Sequence, residues 1–243
     1  MLKLDSIGKR YGSKDILKEM SFEVKRGEIR SLLGPNGAGK TTAFNILAGV
    51  EAPSRGKVFL DGKDVTSLPI HSRAKLGLSY LPQAPSLFLG LKVLDNLLLI
   101  LENLETKTSN PRKTARDYLE RLDLGKYHNQ SVNELSAGQK RKAEIARALV
   151  TSPTFLLLDE PFSELDPKSV DELSETLERL KEEDDLGLAL TDHKVRETLR
   201  ITDYNYLIQS GKIFVEGVSE AILEEPSARE EYLGHRLSSD QLG

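Results

Sequence analysis

The 243-residue chain contains no cysteine. That excludes a disulfide framework and a thiolate metal site, and it fits a reducing compartment. Positive charge is not in excess: 34 lysines and arginines stand against 38 aspartates and glutamates, a formal net charge of −4. A general nucleic-acid binder carries the opposite balance, so no nucleic-acid partner is expected. Long apolar runs are missing as well. The longest, Leu97-Leu98-Leu99-Ile100-Leu101 and Phe155-Leu156-Leu157-Leu158, fall far short of the ~20 residues that a spanning helix needs. Any membrane role must therefore come through a partner or a surface contact, without direct insertion. The opening Met1-Leu2-Lys3-Leu4-Asp5-Ser6 has neither an apolar signal core nor a transit-peptide composition. His71, His128 and His235 show no metal-ligand spacing. Length, by contrast, is ample for one large α/β domain or for a core domain with an inserted subdomain.

What is present begins with Gly34-Pro35-Asn36-Gly37-Ala38-Gly39-Lys40-Thr41-Thr42, a match to the phosphate-binding pattern G-x-x-x-x-G-K-[ST]. The preceding Ile29 to Leu33 reads as a short buried strand and Thr41 to Ala48 as the helix it feeds. Loop glycines let successive N–H groups close around a polyphosphate, and the helix N-terminus adds partial positive charge. Lys40 then reaches the β and γ phosphates and the Thr41 hydroxyl is offered to Mg²⁺. The pattern makes this a nucleoside triphosphate protein.

Residues 1 to 33 read as short strands broken by turns. Gly56 to Leu60 is a further strand closed by the hairpin pair Asp61-Gly62, and Leu78 to Leu81 is another that stops at Pro82-Gln83. From Ser86 to Val150 helical periodicity takes over, over Val93 to Leu104 and Pro111 to Leu122, with a polar loop at 105–110. This stretch is expected to be an inserted helical subdomain. Strand character returns at Phe155 to Leu158 and Gly187 to Thr191, with a charged, solvated helix from Pro167 to Glu183 between them. A final pair, Tyr204 to Gln209 and Lys212 to Glu216, flanks Ser210-Gly211, and the polar tail after Gly234 is expected to fray. The basic run Lys140-Arg141-Lys142 is read as a solvated helix face.

Leu135-Ser136-Ala137-Gly138-Gln139 with the helical run that follows resembles the signature of the ATP-binding cassette (ABC) superfamily, and Leu156-Leu157-Leu158-Asp159-Glu160-Pro161 resembles its Walker B strand. Tyr11, Gln83, Leu165-Asp166 and Thr191-Asp192-His193 follow in the family's order. The resemblance covers nearly the whole chain. It implies an α/β fold: a P-loop ATPase core over 1–85 and 151–243, with an N-terminal antiparallel β region, and an inserted α-helical subdomain over 86–150 that carries the signature.

By the same resemblance the cofactors are ATP and Mg²⁺. Tyr11 would stack on adenine; Asn36, Gly37, Gly39, Lys40, Thr41 and Thr42 would cradle the phosphates; Thr41, Gln83 and Asp159 would serve the metal. Glu160 would polarise the attacking water, helped by Gln83, and His193 would hydrogen-bond the γ-phosphate. Strand alternation aims Asp159 and Glu160 apart, so the turn at Pro161 must re-aim one of them. Ser136, Gly138 and Gln139 would form a second anion site that closes on the nucleotide of the other subunit, so a homodimer sandwiches two ATP molecules. Two departures stand out. Ala137 replaces the commonest glycine but keeps its N–H, which is tolerated if φ is negative there. Glu164 replaces a small residue and adds negative charge near the dimer seam.

Three classes compete: a transporter motor, a soluble non-transport ABC ATPase, and an ABC-like subunit without turnover. Soluble DNA-repair relatives need a long coiled-coil insertion and translation-type relatives carry two cassettes. Glu160 and His193 disfavour the inactive class. Gly77 to Gln83 with Ser86-Leu87-Phe88, Gly187 to Leu199, and Tyr232-Leu233-Gly234 resemble the ATPases of lipopolysaccharide-export machines, and branched-chain amino acid importers share some of these segments. The resemblance implies a homodimer on the cytoplasmic face of the inner membrane, docked beneath two membrane-spanning permeases whose coupling helices would meet Leu87, Phe88 and Leu91.

Overall fold

A computed structural model describes residues 1–104 and 108–228. The N-terminal region is an antiparallel sheet of β1 (Leu2–Tyr11), β2 (Lys14–Val24), β4 (Arg55–Leu60) and β5 (Lys63–Asp64) in the order β2-β1-β4-β5. The expectation of short pieces over residues 1 to 33 is corrected here, because β1 and β2 run 10 and 11 residues. Bulges hide their length: the register shifts three times between Leu4 and Arg10, and Ser6 and Glu19 have φ of 53° and 58°.

The second sheet has the order β10-β9-β3-β8-β7-β6. It comprises β3 (Ile29–Leu33), β6 (Leu78–Leu81), β7 (Phe155–Asp159), β8 (Gly187–Thr191), β9 (Tyr204–Gln209) and β10 (Lys212–Gly217). All neighbours are parallel except β9 and β10. Every residue of β3, β7 and β8 is buried, as expected for parallel strands covered on both faces. One face packs on α1 (Lys40–Ala48) and the antiparallel sheet, around Phe22, Phe44 and Phe155.

The other face continues into the apolar cluster of α3 (Val93–Leu101), α4 (Pro111–Arg121), α5 (Ala137–Leu149) and α6 (Pro167–Asp184). α3 ends three residues earlier than its periodicity predicts. The expected loop at 105–110 lies partly outside the described residues; the tail after Gly234 and Tyr232-Leu233-Gly234 lie wholly outside them. The acidic residues of α6 are largely exposed, while Val170, Leu173, Leu177 and Leu180 face inward. The described residues also form the short helices α2 (Ile70–Lys75), α7 (Val195–Ile201), α8 (Ser219–Glu224) and α9 (Pro226–Ala228).

The sheet order decides where chemistry can occur. The loops after β3, β6, β7 and β8 all leave the carboxyl ends of parallel strands, where open α/β sheets place their ligands.

Candidate active site

The loop after β3 turns into α1 through Gly39, whose φ is 112°. A Cβ there would lie 2.7 Å from Leu17 of β2, so glycine is required both by the backbone and by the packed hairpin. Lys40, 5% exposed, folds back over its own loop and donates to the Gly34 and Pro35 carbonyls at 2.7 and 3.2 Å. Burial holds its ammonium below the usual lysine range, against the pull of Glu160, Asp159 and Asp192. The cation is thus held by two carbonyls of its own loop, partners that an incoming anion could replace.

Asp159, 1% exposed, ends β7, and its Oδ1 accepts a 2.6 Å hydrogen bond from the Thr191 hydroxyl at the end of β8. Glu160 follows with φ of 49°, and its N–H donates to the Thr191 carbonyl at 2.9 Å. The re-aiming expected at Pro161 is therefore made by Glu160 itself, in the left-handed region that non-glycine residues rarely occupy. Its carboxylate turns toward the loop, where Gln83 Nε2 donates to Oε2 at 2.8 Å and His193 Nδ1 lies 3.4 Å from the same oxygen. Residues 83, 160 and 193, far apart in sequence, converge on one oxygen.

Asp192 was not singled out by sequence reasoning, yet it holds this corner together. Fully buried, it accepts from the N–H groups of Phe162, His193 and Lys194 at 2.9, 2.8 and 2.8 Å. Its position between a strand end and His193 was the available signal.

A cleft of about 650 Å³ takes in Tyr11, Asn36, Gly37, Gly39 to Thr42, Gln83, Glu160 and His193, together with Lys14, Ile16 and Ser163, which no sequence motif marks. Tyr11 sits at its rim, 46% exposed, and its hydroxyl donates to Glu51. Desolvation and that carboxylate raise the phenol pKa. Asp159 lies beneath the cleft rather than in its lining.

Ser136, Gly138 and Gln139 line a different cleft, about 570 Å³, against α6. Ser136 caps α5 in a reciprocal box: its hydroxyl accepts from the Gln139 N–H at 3.3 Å, and Gln139 Oε1 accepts from the Ser136 N–H at 2.9 Å. Ala137 is the first helical residue and is not among those with positive φ. One chain thus presents a phosphate loop in one place and a capped helix N-terminus in another.

Residues 17–163 match the ABC transporter family. This chain belongs to that family. Among ABC transporter proteins it is 41% identical over 237 residues to the lipopolysaccharide export system ATP-binding protein LptB of Acidithiobacillus ferridurans, with 98% of each chain covered. It is 37% identical over 230 residues to the protein of the same description from Escherichia coli K12, with 94% and 95% covered. The ADP conformation of the cassette MJ1267 superposes with a TM-score of 0.88 at 27% identity, covering 96% of this chain and 98% of that one. The dimeric post-hydrolysis cassette MJ0796, bound to ADP and Pi, gives 0.79 at 28% identity over 90% and 99%.

For an ABC transporter cassette the donor set proposed for Mg²⁺ is chemically apt. The Asp159 carboxylate, the Thr41 hydroxyl and the Gln83 amide carry oxygen, the donor type that Mg²⁺ takes, and would leave room for water and phosphate oxygens on the ion.

The expected docking residues divide. Leu87 is 8% exposed and belongs to the core, which corrects its placement on the surface. Phe88, Leu91 and the overlooked Leu89 are 48%, 36% and 50% exposed. The basic run on α5 is corrected too. Arg141 and Lys142 are each only 8% exposed, so two of its three members are interior. Among the described residues, no helix is long and apolar enough to cross a membrane.

Proposed function

We propose that this chain is the ATP-hydrolysing motor of an ABC transporter that extracts lipopolysaccharide from the inner membrane for export to the outer membrane. The observation that carries this reading is near full-length identity of 37–41% with proteins described as lipopolysaccharide export ATP-binding proteins, combined with Glu160, Gln83 and His193 gathered around one oxygen. The chain would lie on the cytoplasmic face of the inner membrane as a homodimer, beneath two permeases.

In this reading the triphosphate lies along the loop N–H groups, and Lys40 exchanges the Gly34 and Pro35 carbonyls for phosphate oxygens. Adenine stacks on Tyr11 at the rim. Bound Mg²⁺ would supply charge neutralisation on the phosphates, held by Thr41, Gln83 and Asp159. The α5 N-terminus of the second copy, with Ser136 and Gly138, closes on the γ-phosphate. Glu160 accepts a proton from water as its oxygen attacks the γ-phosphorus and ADP departs, with Gln83 orienting the carboxylate. His193 donates to a γ-phosphate oxygen as charge grows there. Residues 86–150 act as the helical subdomain that carries closure to the permeases through the exposed Phe88 and Leu91.

The test is a pull-down of tagged Glu160→Gln protein with ATP from detergent-solubilised native membranes, read by mass spectrometry. Two lipopolysaccharide-export permeases with a periplasmic bridge component support the reading. Permeases for branched-chain amino acids would move the cargo to uptake and leave the catalytic residues as named, whereas recovery of no membrane protein would favour a soluble ABC ATPase.

A further inference from the structure

Two buried charges beside the site that the mechanism leaves unused are Arg141 and Glu144. They stand one turn apart on α5, 8% and 4% exposed, with Arg141 Nη1 donating to Glu144 Oε2 at 2.9 Å. Arg141 also grips two strand ends: Nη2 donates to the Asp159 carbonyl at 3.0 Å and Nη1 to the Pro82 carbonyl at 3.3 Å. The other oxygen of Glu144 accepts from the Ser86 N–H at 2.6 Å and lies 3.2 Å from the Ser86 hydroxyl. One turn further along α5, Arg147 donates to the Ser86 carbonyl at 2.7 Å and to its hydroxyl at 2.6 Å, and its guanidinium lies 5.6 Å from the Phe88 ring centroid. An unbroken chain of polar contacts thus runs from the Asp159 carbonyl to the exposed ring of Phe88.

We propose that Arg141, Glu144 and Arg147 form a positioning relay, pivoting on Ser86, that reports nucleotide occupancy at Asp159 and Gln83 to the apolar surface at Phe88. Three observations favour this over a passive core contact. A buried ion pair adds little stability over apolar side chains of similar volume, so charges here point to specificity of position. Their partners are the backbone of 82–88, a segment with Gln83 of the site near one end and Phe88 of the surface at the other. Finally, Arg141 Nε is buried without a partner; an incompletely satisfied network has an alternative arrangement within reach when its neighbours move.

The proposal rests on the ATP-binding reading, and the test separates the two. In full-length Glu160→Gln protein, 4-fluorophenylalanine is placed at position 88 and its ¹⁹F resonance followed as ATP and Mg²⁺ are added. The expected result is a resolved displacement on ATP binding. It is lost in Glu144→Leu, with the ATP Kd within twofold, and at least partly restored in Glu144→Gln, which keeps an acceptor for Ser86. If Glu144→Leu fails to fold, Ser86→Ala takes its place, because it removes the hydroxyl shared by Glu144 and Arg147. A parent resonance that does not move when ATP binds, or a displacement that survives both substitutions, overturns the relay. Failure of the chain to bind ATP at all would instead overturn the function reading.

Discussion

Gln83 and Glu160 meet across the gap between two strand ends, with Nε2 of the amide 2.8 Å from Oε2 of the carboxylate. The bond ties down one carboxylate oxygen, and if Glu160 is the base proposed above, the other oxygen is the one that takes a proton from water. Replacing Glu160 by Gln keeps shape but removes the acceptor of that proton. Phosphate release should therefore fall ~10²–10⁴-fold, the usual worth of a positioned base, while ATP still binds. Size-exclusion chromatography with ATP should show a larger dimer fraction than for the parent. A loss below tenfold, or no rise in dimer, would remove Glu160 from the role of base.

His193 is half exposed yet fixed at its backbone by Asp192, which accepts its N–H at 2.8 Å. If its ring serves the charge that grows on the γ-phosphate, His193→Ala should lower kcat ~10²–10³-fold, as for loss of one oxyanion donor. KM should change little, because the interaction is made chiefly in the transition state. Steady-state kinetics give the split. A raised KM with kcat intact would make His193 a ground-state binding residue instead.

Adjacent positions of the signature should respond oppositely. Ala137 opens α5 without a positive φ, so Ala137→Gly should change ATPase activity less than tenfold. A gain of tenfold or more, ~1.4 kcal/mol in barrier, would refute that tolerance. Gly138 has no such latitude: a Cβ would lie 2.8 Å from Ser169 Oγ and 3.0 Å from its Cβ. Gly138→Ala must displace the Ser169 side chain or the α5 N-terminus itself, and ATP-dependent dimerisation should fall in the same assay.

Lys40 gives a pH dependence. Burial lowers its pKa in the ATP-free protein, and a triphosphate beside it must raise that pKa again. Binding is then linked to proton uptake. ATP affinity should be full below the ATP-free pKa of Lys40 and decline as pH rises through it, at a pH below that of an ordinary lysine. Calorimetry at alkaline pH in buffers of different ionisation enthalpy would detect the uptake, and proton release on binding would contradict it.

The parts of this site that were legible in sequence are those whose chemistry fixes local spacing. A phosphate cradle needs Gly34 to Thr41 in order, and a strand buried on both faces reads as a near-continuous apolar run, as Phe155 to Leu158 does. What was not legible depends on partners distant in the chain. Lys140-Arg141-Lys142 looked solvated because a charge run normally is, but Arg141 finds carbonyls at residues 82 and 159. Leu87 and Leu89 lie in irregular backbone, where no periodicity separates buried from exposed. Asp192 looked like one acid among many, and only the fold brings it the N–H of Phe162 at 2.9 Å.

Arg73 carries the same lesson into stability. It is 1% exposed, and burial brings its pKa down to about 10, so it remains charged at neutral pH. Its Nη1 donates to the Ile46 and Leu47 carbonyls at 2.6 and 2.7 Å, Nε to Leu68 at 2.9 Å and Nη2 to Thr66 at 3.1 Å. Two of these carbonyls belong to the last turn of α1, where a cation is favoured by the helix dipole. Arg73→Met would remove a donor from four carbonyls, of which Ile46 keeps the Gly49 N–H at 3.3 Å. With each unpaired buried group worth ~1–3 kcal/mol and partial relief by water, a loss of ~3 kcal/mol or more is expected. Arg73→Lys should recover only part, since a point ammonium cannot span four carbonyls. Urea unfolding of the three proteins measures it. α1 also carries Lys40 and Thr41 at its other end, so ATP affinity should weaken in the same order, Met more than Lys. Unchanged unfolding midpoints would mean that the carbonyls find other donors and that α1 does not depend on this arginine.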